Sequence, residues 1–176
     1  MKNRLYILCL CIGLLLTTTP VCAQWQASDT HANRLDENHA NQSLLRTIRT
    51  DEGHIILSWL RYVSADGADV ADGGYHLFVQ VFNPDGSMRF GQNGLCVSNK
   101  RTNTYTTDYS LALAPNGDIL LAYCDARDDA SMEHIHAYIY RYTLSGEAVW
   151  NAEGIRVPVQ PINDAYHPDI DQAGTS

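Results

Sequence analysis

Two acidic loops contain the residues of this chain that are best suited to binding a cation. Calcium is bound in proteins by carboxylate and carbonyl oxygens that converge on one point. The candidate ligands are Asp66, Asp69 and Asp72 in the first loop and Asp125, Asp128 and Asp129 in the second. Their spacing does not match an EF-hand loop, where ligands alternate and a glycine has a fixed place. We therefore expect solvated acidic loops, with Ca²⁺ as the one alternative cofactor.

Two histidines could also hold a metal ion. His134 and His136 are two residues apart, so they would share one face of a strand. His76 stands ten residues before Gly86, as His136 does before Gly146. Because this histidine recurs, the pattern favours partly exposed strand histidines with a structural role over a metal site.

No pattern of a catalytic centre is found. The sequence contains no Gly-x-Ser-x-Gly motif, no phosphate-binding loop and no dinucleotide fingerprint. Glycoside hydrolysis would need two carboxylates facing each other across a cleft, and the pattern places no such pair. Asp125 and Arg127 are expected to form a structural ion pair or to hydrogen-bond the loop backbone. We assign no catalytic and no cofactor-binding residue.

Four aromatic residues, Trp59, Phe90, Tyr123 and Trp150, could form a platform on which a carbohydrate stacks. They occur at matching places in two copies of a sequence unit. Repetition favours packing in the core and between neighbouring units.

The unit is about 60 residues long, and its period is 64 residues at the first anchor glycine and 60 at the next. The anchors of the first copy are Gly53, Trp59, Gly86, Phe90 and Gly94. Those of the second copy are Gly117, Tyr123, Gly146, Trp150 and Gly154. Only the loop between the second and third strands changes length, which is typical of repeat architectures.

Each copy contains four short apolar runs with strand character. In the second copy they lie near 110–114, 119–123, 136–142 and 148–157. The Asp85-Gly86 and Asn116-Gly117 pairs predict hairpin turns with positive φ at both central residues. In the third run, Tyr138, Tyr140 and Tyr142 should share one face of the strand.

The predicted fold is all-β: an incomplete β-propeller-like array of four-stranded antiparallel blades. It comprises repeat 1 (41–100), repeat 2 (101–163) and the start of a truncated repeat 3 (164–176), where Tyr166 to Gly174 resembles Tyr109 to Gly117. A β-sandwich is the alternative. The chain is expected to be a fragment of a longer protein.

The N-terminus has the charged, apolar and small-residue order of a secretory signal peptide over 1–23, with cleavage after Ala23, followed by a linker at 24–40. A lipoprotein acylated at Cys22 is less favoured because Val21 precedes it. The apolar run is shorter than the roughly 20 residues of a membrane-spanning helix, so no transmembrane span is expected after cleavage.

Cleavage would change the net charge from −8 to −10, because Lys2 and Arg4 leave and no acid does. Such an acidic chain is a poor partner for nucleic acid, whose phosphates require clustered basic residues. Two cysteines, Cys96 and Cys124, would remain. Free half-buried thiols are favoured over a disulfide between them.

The repeat resembles those of large secreted or surface proteins of Gram-negative bacteria that use the type IX secretion route. The resemblance rests on the Gly53 to Trp59 strand, on the turn glycine followed by Trp150, and on Tyr123-Cys-Asp-Ala-Arg127. The first copy departs from it, with Arg61 where the second has an acid. The spacing around Asp85 rules out a sialidase-type Asp box. The resemblance implies a propeller-like module of a multidomain protein.

The leading hypothesis is an exported, non-catalytic interaction module that binds a protein or glycan at the cell surface or outside the cell. The alternative is the N-terminal part of a secreted propeller-based hydrolase, acting on glycan or peptide, whose active site lies in missing sequence. A purely structural spacer is the third interpretation. No residue pattern in the sequence identifies the ligand.

Overall fold

The computed structural model describes residues 42–64, 73–102, 108–129, 131, 134–158 and 164–171. Within these ranges the chain forms eight strands and no helix, so the all-β prediction is confirmed. The strands are β1 Gln42–Arg49, β2 Ile55–Val63, β3 Gly74–Phe82, β4 Leu95–Thr102, β5 Tyr109–Leu113, β6 Ile119–Asp125, β7 His136–Tyr142 and β8 Ile155–Arg156. They form two antiparallel sheets in chain order, sheet 1 with β1–β4 and sheet 2 with β5–β8.

Both sheets have the same strand order and the same pairing between their middle strands. In sheet 1, Trp59 of β2 lies opposite Phe78 of β3. In sheet 2, Tyr123 of β6 lies opposite Tyr138 of β7. These pairs are separated by 64 residues in the second strand and by 60 in the third, which are the two periods in the sequence. Residues at corresponding places in the sequence thus occupy corresponding places in the sheets.

The hairpin turns differ from the predicted type. Gly86 has φ +83° and Gly117 has φ +85°, but Asp85 and Asn116 are not among the residues with positive φ. The Gly86 amide donates to the Asn83 carbonyl at 2.8 Å. This is a type I turn followed by a left-handed glycine, the usual three-residue hairpin loop. The prediction of positive φ at both central residues is therefore wrong.

The two sheets pack face to face and share one core. Sheet 1 contributes Ile56, Leu60, Leu77, Val79 and Val81. Sheet 2 contributes Ile119, Leu121, Tyr123, Tyr138 and Tyr140. Tyr123 and Tyr138 correspond to Trp59 and Phe78, which stack on each other in a separate cluster with ring centroids 6.0 Å apart. Since side chains alternate along a strand, the sheets pack through opposite faces of corresponding strands.

Tyrosine hydroxyls join the two sheets by hydrogen bonds to the backbone. The Tyr109 hydroxyl lies 2.6 Å from the Leu44 carbonyl oxygen and 2.7 Å from that of Ser58. The Tyr123 hydroxyl donates to the Tyr75 carbonyl at 2.6 Å. Burial raises the pKa of Tyr109 and of Tyr123 well above the ordinary value. Both hydroxyls are therefore protonated at neutral pH and can act as donors.

Residues 164–171 lie against the face of sheet 2 that points away from sheet 1. The Ile170 amide donates to the Ser110 hydroxyl at 3.2 Å, and the Ala165 amide donates to the Ile135 carbonyl at 3.0 Å. The described part of the predicted third copy, 164–171, contains no paired strand. Sheet 1 extends to Thr102, two residues beyond the predicted end of repeat 1.

The signal peptide, the linker and the cleavage site lie outside the described residues. None of the segments that the structure describes is a helix long and apolar enough to cross a membrane.

Candidate functional site

A crevice of about 280 Å³ opens between β4 of sheet 1 and the β7–β8 region of sheet 2. We call it the inter-sheet crevice. Its polar lining consists of Ser98, Asn99, Arg127, Tyr140 and Glu153. Gly154, with φ +79°, ends the turn that carries Glu153, and its α-carbon lies so close to the Tyr140 ring that an added Cβ would be 2.8 Å from it. The turn can therefore approach β7 only because a glycine stands there.

Arg127 forms the inner wall of the inter-sheet crevice through a buried ion pair. Its Nη2 lies 2.6 Å and its Nε 2.8 Å from the two carboxylate oxygens of Asp125, whose side chain is fully buried. Its other donors go to the Glu153 carbonyl and the Tyr140 hydroxyl. Burial lowers the pKa of Arg127, but the hydrogen bond to Asp125 and the charges around it outweigh burial, so the pKa is raised overall. The guanidinium is charged, and each of its three nitrogens already donates to a group of the protein.

An aromatic ring also packs against Arg127. The Arg127 guanidinium carbon lies 3.7 Å from the centre of the Tyr138 ring. In sheet 1, Arg61 lies at the same 3.7 Å over Phe78, which is the residue corresponding to Tyr138. In each sheet an arginine thus lies over the aromatic ring at this place of the third strand, although the two arginines occupy different places in the two copies. Such cation–π contacts restrict the orientation of a side chain that is largely buried.

The candidate calcium ligands of the second loop do not converge. Both Asp125 oxygens accept from Arg127. Asp128 accepts from the Tyr138 hydroxyl and lies 3.3 Å from Arg156. Asp129 accepts from Ser131 and from the His134 amide. Among the described residues, no group of three His, Cys, Asp or Glu side chains is placed to hold a metal ion. Asp66, Asp69 and Asp72 lie outside the described residues.

The two histidines do not share a strand. β7 begins at His136, so His134 precedes it, and the expectation of a common strand face is wrong. His134 is largely exposed and its Nδ1 lies 3.2 Å from Asp164. His136 is buried opposite Asp125 in the register of β6 and β7. The two imidazoles therefore have different surroundings.

Two of the four repeated aromatic residues are inaccessible to a sugar. Trp59 is 1% and Tyr123 0% exposed. Phe90 is half-buried and lies against Gly146 of the other sheet, where an added Cβ would be 2.8 Å from its ring. Trp150 is half-buried, with the Arg141 guanidinium carbon 5.8 Å from its ring centre. The four do not form one platform.

Both described cysteines are free thiols. Cys96 lines the inter-sheet crevice and is half-buried. Cys124 is fully buried, and burial raises its pKa to about 12. Since the thiolate is the reactive form, Cys124 is an inert core residue.

Sequence reasoning did not find the polar residues through which sheet 1 faces sheet 2. Ser98 and Asn99 reach the inter-sheet crevice from β4, and Lys100 lies 3.3 Å from Glu153 of sheet 2. The Nη2 of Arg46 in β1 donates to both carboxylate oxygens of Asp108, at 2.8 and 2.7 Å. The partners in each ion pair are more than 50 residues apart in the sequence, and no repeat anchor or motif indicates that they meet.

The Arg46–Asp108 contact predicts an acid-sensitive link between the sheets. Burial tends to raise the pKa of Asp108, but the hydrogen bonds from Arg46 and from the Tyr109 amide, together with the Arg46 charge, outweigh burial, so the pKa lies below the ordinary 3.8. A carboxylate whose pKa is lower in the folded protein than in the unfolded chain stabilises the fold at pH values above the unfolded-state pKa. This contribution is lost as the pH falls through the folded-state pKa. Replacing Asp108 by Asn, which also tolerates its φ of +57°, should cost about 0.5–1 kcal/mol at pH 7.

Urea unfolding at pH 7, 5 and 3 would measure this effect. The difference between wild type and Asp108→Asn should shrink at pH 3, because Asp108 of the unfolded chain is then largely protonated and the stabilisation by the folded carboxylate is no longer complete. Asp51→Asn, in an exposed turn, is the control and should change little at any pH. A difference that stays constant from pH 7 to pH 3 would show that the charge of Asp108 is not what joins the sheets.

Comparisons with protein-family models, with curated proteins and with solved structures found no match for this chain.

Proposed function

We propose that this chain is an exported, non-catalytic, propeller-like module that binds a protein or a glycan at the cell surface or outside the cell. The observation that carries the propeller-like part of this proposal is the packing of the two sheets through opposite faces. Contacts between non-equivalent faces repeat in one direction and generate rings or open arrays. A sandwich built from two copies would more simply bury the equivalent face of each. The observed packing therefore favours the propeller-like array over the sandwich.

Two further observations support this array. Residues 164–171 contact the face of sheet 2 that corresponds to the packed face of sheet 1, through Ser110 and Ile135. The first strands of the two sheets lie next to each other, as the innermost strands of neighbouring blades do. In such arrays the ligand contacts come from loops and from crevices between blades, which here include the inter-sheet crevice.

The proposed location rests on the sequence. Residues 1–23 have the order of a secretory signal peptide, and the repeat resembles those of proteins that use the type IX secretion route. The net charge, −8 for the whole chain and −10 after cleavage, is compatible with an extracellular interaction module and unfavourable for binding nucleic acid.

Expression with the native N-terminus in a Gram-negative host, followed by intact-mass measurement and glycan-array binding, tests the proposal. We expect a mature chain that begins at Gln24, free or cyclised, and that binds a defined set of array glycans or one purified surface protein without altering it. A cytoplasmic product that retains residues 1–23 would contradict export. Release of cleaved glycan or peptide by the purified chain would contradict a non-catalytic role.

A further inference from the structure

We propose that the inter-sheet crevice binds a single sugar ring of a neutral glycan. This inference rests on the proposed binding function and names a ligand class and a site for it. It follows from the size of the crevice, from the pairing of its charges and from the mixture of hydrogen-bonding groups on its walls.

The size of the inter-sheet crevice suits a small group. Its volume of about 280 Å³ lies just below the roughly 300–1,000 Å³ of small-molecule sites. The walls come from both sheets, with Ser98 and Asn99 on one side and Glu153 on the other. One ring of a longer chain can enter such a space while its neighbours remain in solvent.

The charges of the inter-sheet crevice are paired within the protein. Arg127 is bound by Asp125 at 2.6 Å, and Lys100 lies 3.3 Å from Glu153. The two charged residues of the lining, Arg127 and Glu153, therefore each have an oppositely charged partner outside the lining. A sulfate, phosphate or carboxylate ligand would have to displace Asp125 from Arg127 and leave a buried carboxylate unpaired, which is costly. A neutral ligand can bind without displacing Asp125 from Arg127.

The remaining polar groups match hydroxyl groups. Asn99 offers both amide donors and a carbonyl acceptor, and the Glu153 carboxylate, which places one oxygen near Lys100, has a second oxygen that can accept. Sugar hydroxyls donate and accept at the same time, so they can satisfy such a mixed set. Ser98 and Tyr140 are 5% and 1% exposed, and Arg127 contacts both. These two hydroxyls are therefore held in place before any ligand binds.

The apolar part of the wall suits the carbon face of a sugar. Val97, Tyr142 and Ala152 line the inter-sheet crevice beside the polar groups. The Tyr142 hydroxyl lies 3.4 Å from the Val97 carbonyl oxygen, which fixes the ring at the junction of the two sheets. Small-molecule sites commonly combine apolar or aromatic walls with a few directed hydrogen bonds, and a sugar ring can use both.

Backbone NMR of the purified chain during titration with neutral and acidic monosaccharides tests this inference. The neutral probes are glucose, galactose, mannose and N-acetylglucosamine, and the acidic probes are glucuronate and N-acetylneuraminate. At least one neutral sugar should shift the amide signals of Ser98, Asn99 and Glu153 with saturation. Asn99→Ala and Glu153→Ala should each weaken that binding at least tenfold. Both residues are exposed at the mouth of the crevice, so neither substitution should prevent folding.

Asn93→Ala is the matched control. Asn93 occupies in the turn of sheet 1 the place that Glu153 has in sheet 2, it is exposed, and it does not line the inter-sheet crevice. Its replacement should leave the affinity within twofold of wild type. Tighter binding of an acidic sugar, or no shift at these amides with any neutral sugar, would overturn the inference. Glycan or protein binding that persists unchanged in Asn99→Ala and Glu153→Ala would overturn the site and leave the proposed function standing.

Discussion

Replacing Arg127 by Met should destabilise the protein by about 3–5 kcal/mol, because it leaves a fully buried carboxylate without its counter-ion. Asp125 has no solvent-exposed area, and the Arg127 guanidinium is its main partner. Met fills a similar volume, so lost packing contributes little. Total stabilities of about 5–15 kcal/mol are usual, so such a loss should be evident as a large shift of the urea midpoint.

Arg156→Met is the matched control for this prediction. Arg156 also faces a carboxylate, that of Asp128 at 3.3 Å, but its side chain is 50% exposed. Exposed pairs contribute about 0–1 kcal/mol, so Arg156→Met should be nearly neutral. The double variant Asp125→Asn with Arg127→Met should recover part of the loss, because the buried charge is then removed. Equal losses for Arg127→Met and Arg156→Met would show that burial of the pair does not determine its contribution.

The strands of the second copy could be predicted because their signals are local. The runs predicted at 110–114, 119–123 and 136–142 correspond to β5, β6 and β7 within two residues at each end. Alternating apolar residues and turn glycines mark such strands in any surroundings. The last predicted run, 148–157, was too long. It forms an isolated bridge at Ala148 and then the two residues of β8, because the turn that ends at Gly154 interrupts the pairing.

The turn geometry could not be read from the Asp-Gly pair alone. Asp85-Gly86 fits two hairpin loops, one with positive φ at both residues and one with positive φ at the glycine only. Pro84 stands directly before this pair, and its fixed negative φ suits the second residue of a type I turn. That signal distinguishes the two loops, and it lies in the residue before the pair.

Contacts within one loop, such as that of Asp125 with Arg127, are within reach of sequence reasoning because residues two apart are always close in space. Contacts between the sheets are not. Whether Asn99 shares a crevice with Glu153 depends on which faces of the sheets pack and at what angle, and neither is encoded in the alternation along one strand. The inter-sheet crevice is therefore a property of packing, and only the structure reveals it.

Gly94→Ala should destabilise the protein by about 3 kcal/mol, the sum of a backbone and a packing contribution. Gly94 has φ +72°, which costs a residue with a side chain about 1–2 kcal/mol. The added Cβ would lie 2.7 Å from the Trp59 ring and 2.9 Å from the Val79 carbonyl oxygen. The carbonyl belongs to β3, which is paired on both sides and cannot withdraw, and Trp59 is held in a buried cluster. Overpacking of this kind adds about 1–3 kcal/mol.

Gly91→Ala separates the backbone contribution from the packing contribution. Gly91 has a similar φ of +65°, but an added Cβ would meet no atom within 4 Å. It should therefore lose only the backbone contribution of about 1–2 kcal/mol, and the difference between the two variants in urea unfolding measures the contact with Trp59 and β3. Similar losses for both variants would mean that the turn moves to accommodate the methyl group. The recurrence of a glycine at Gly94 and Gly154 would then reflect the backbone conformation alone, and the close approach of turn and sheet would not be needed to explain it.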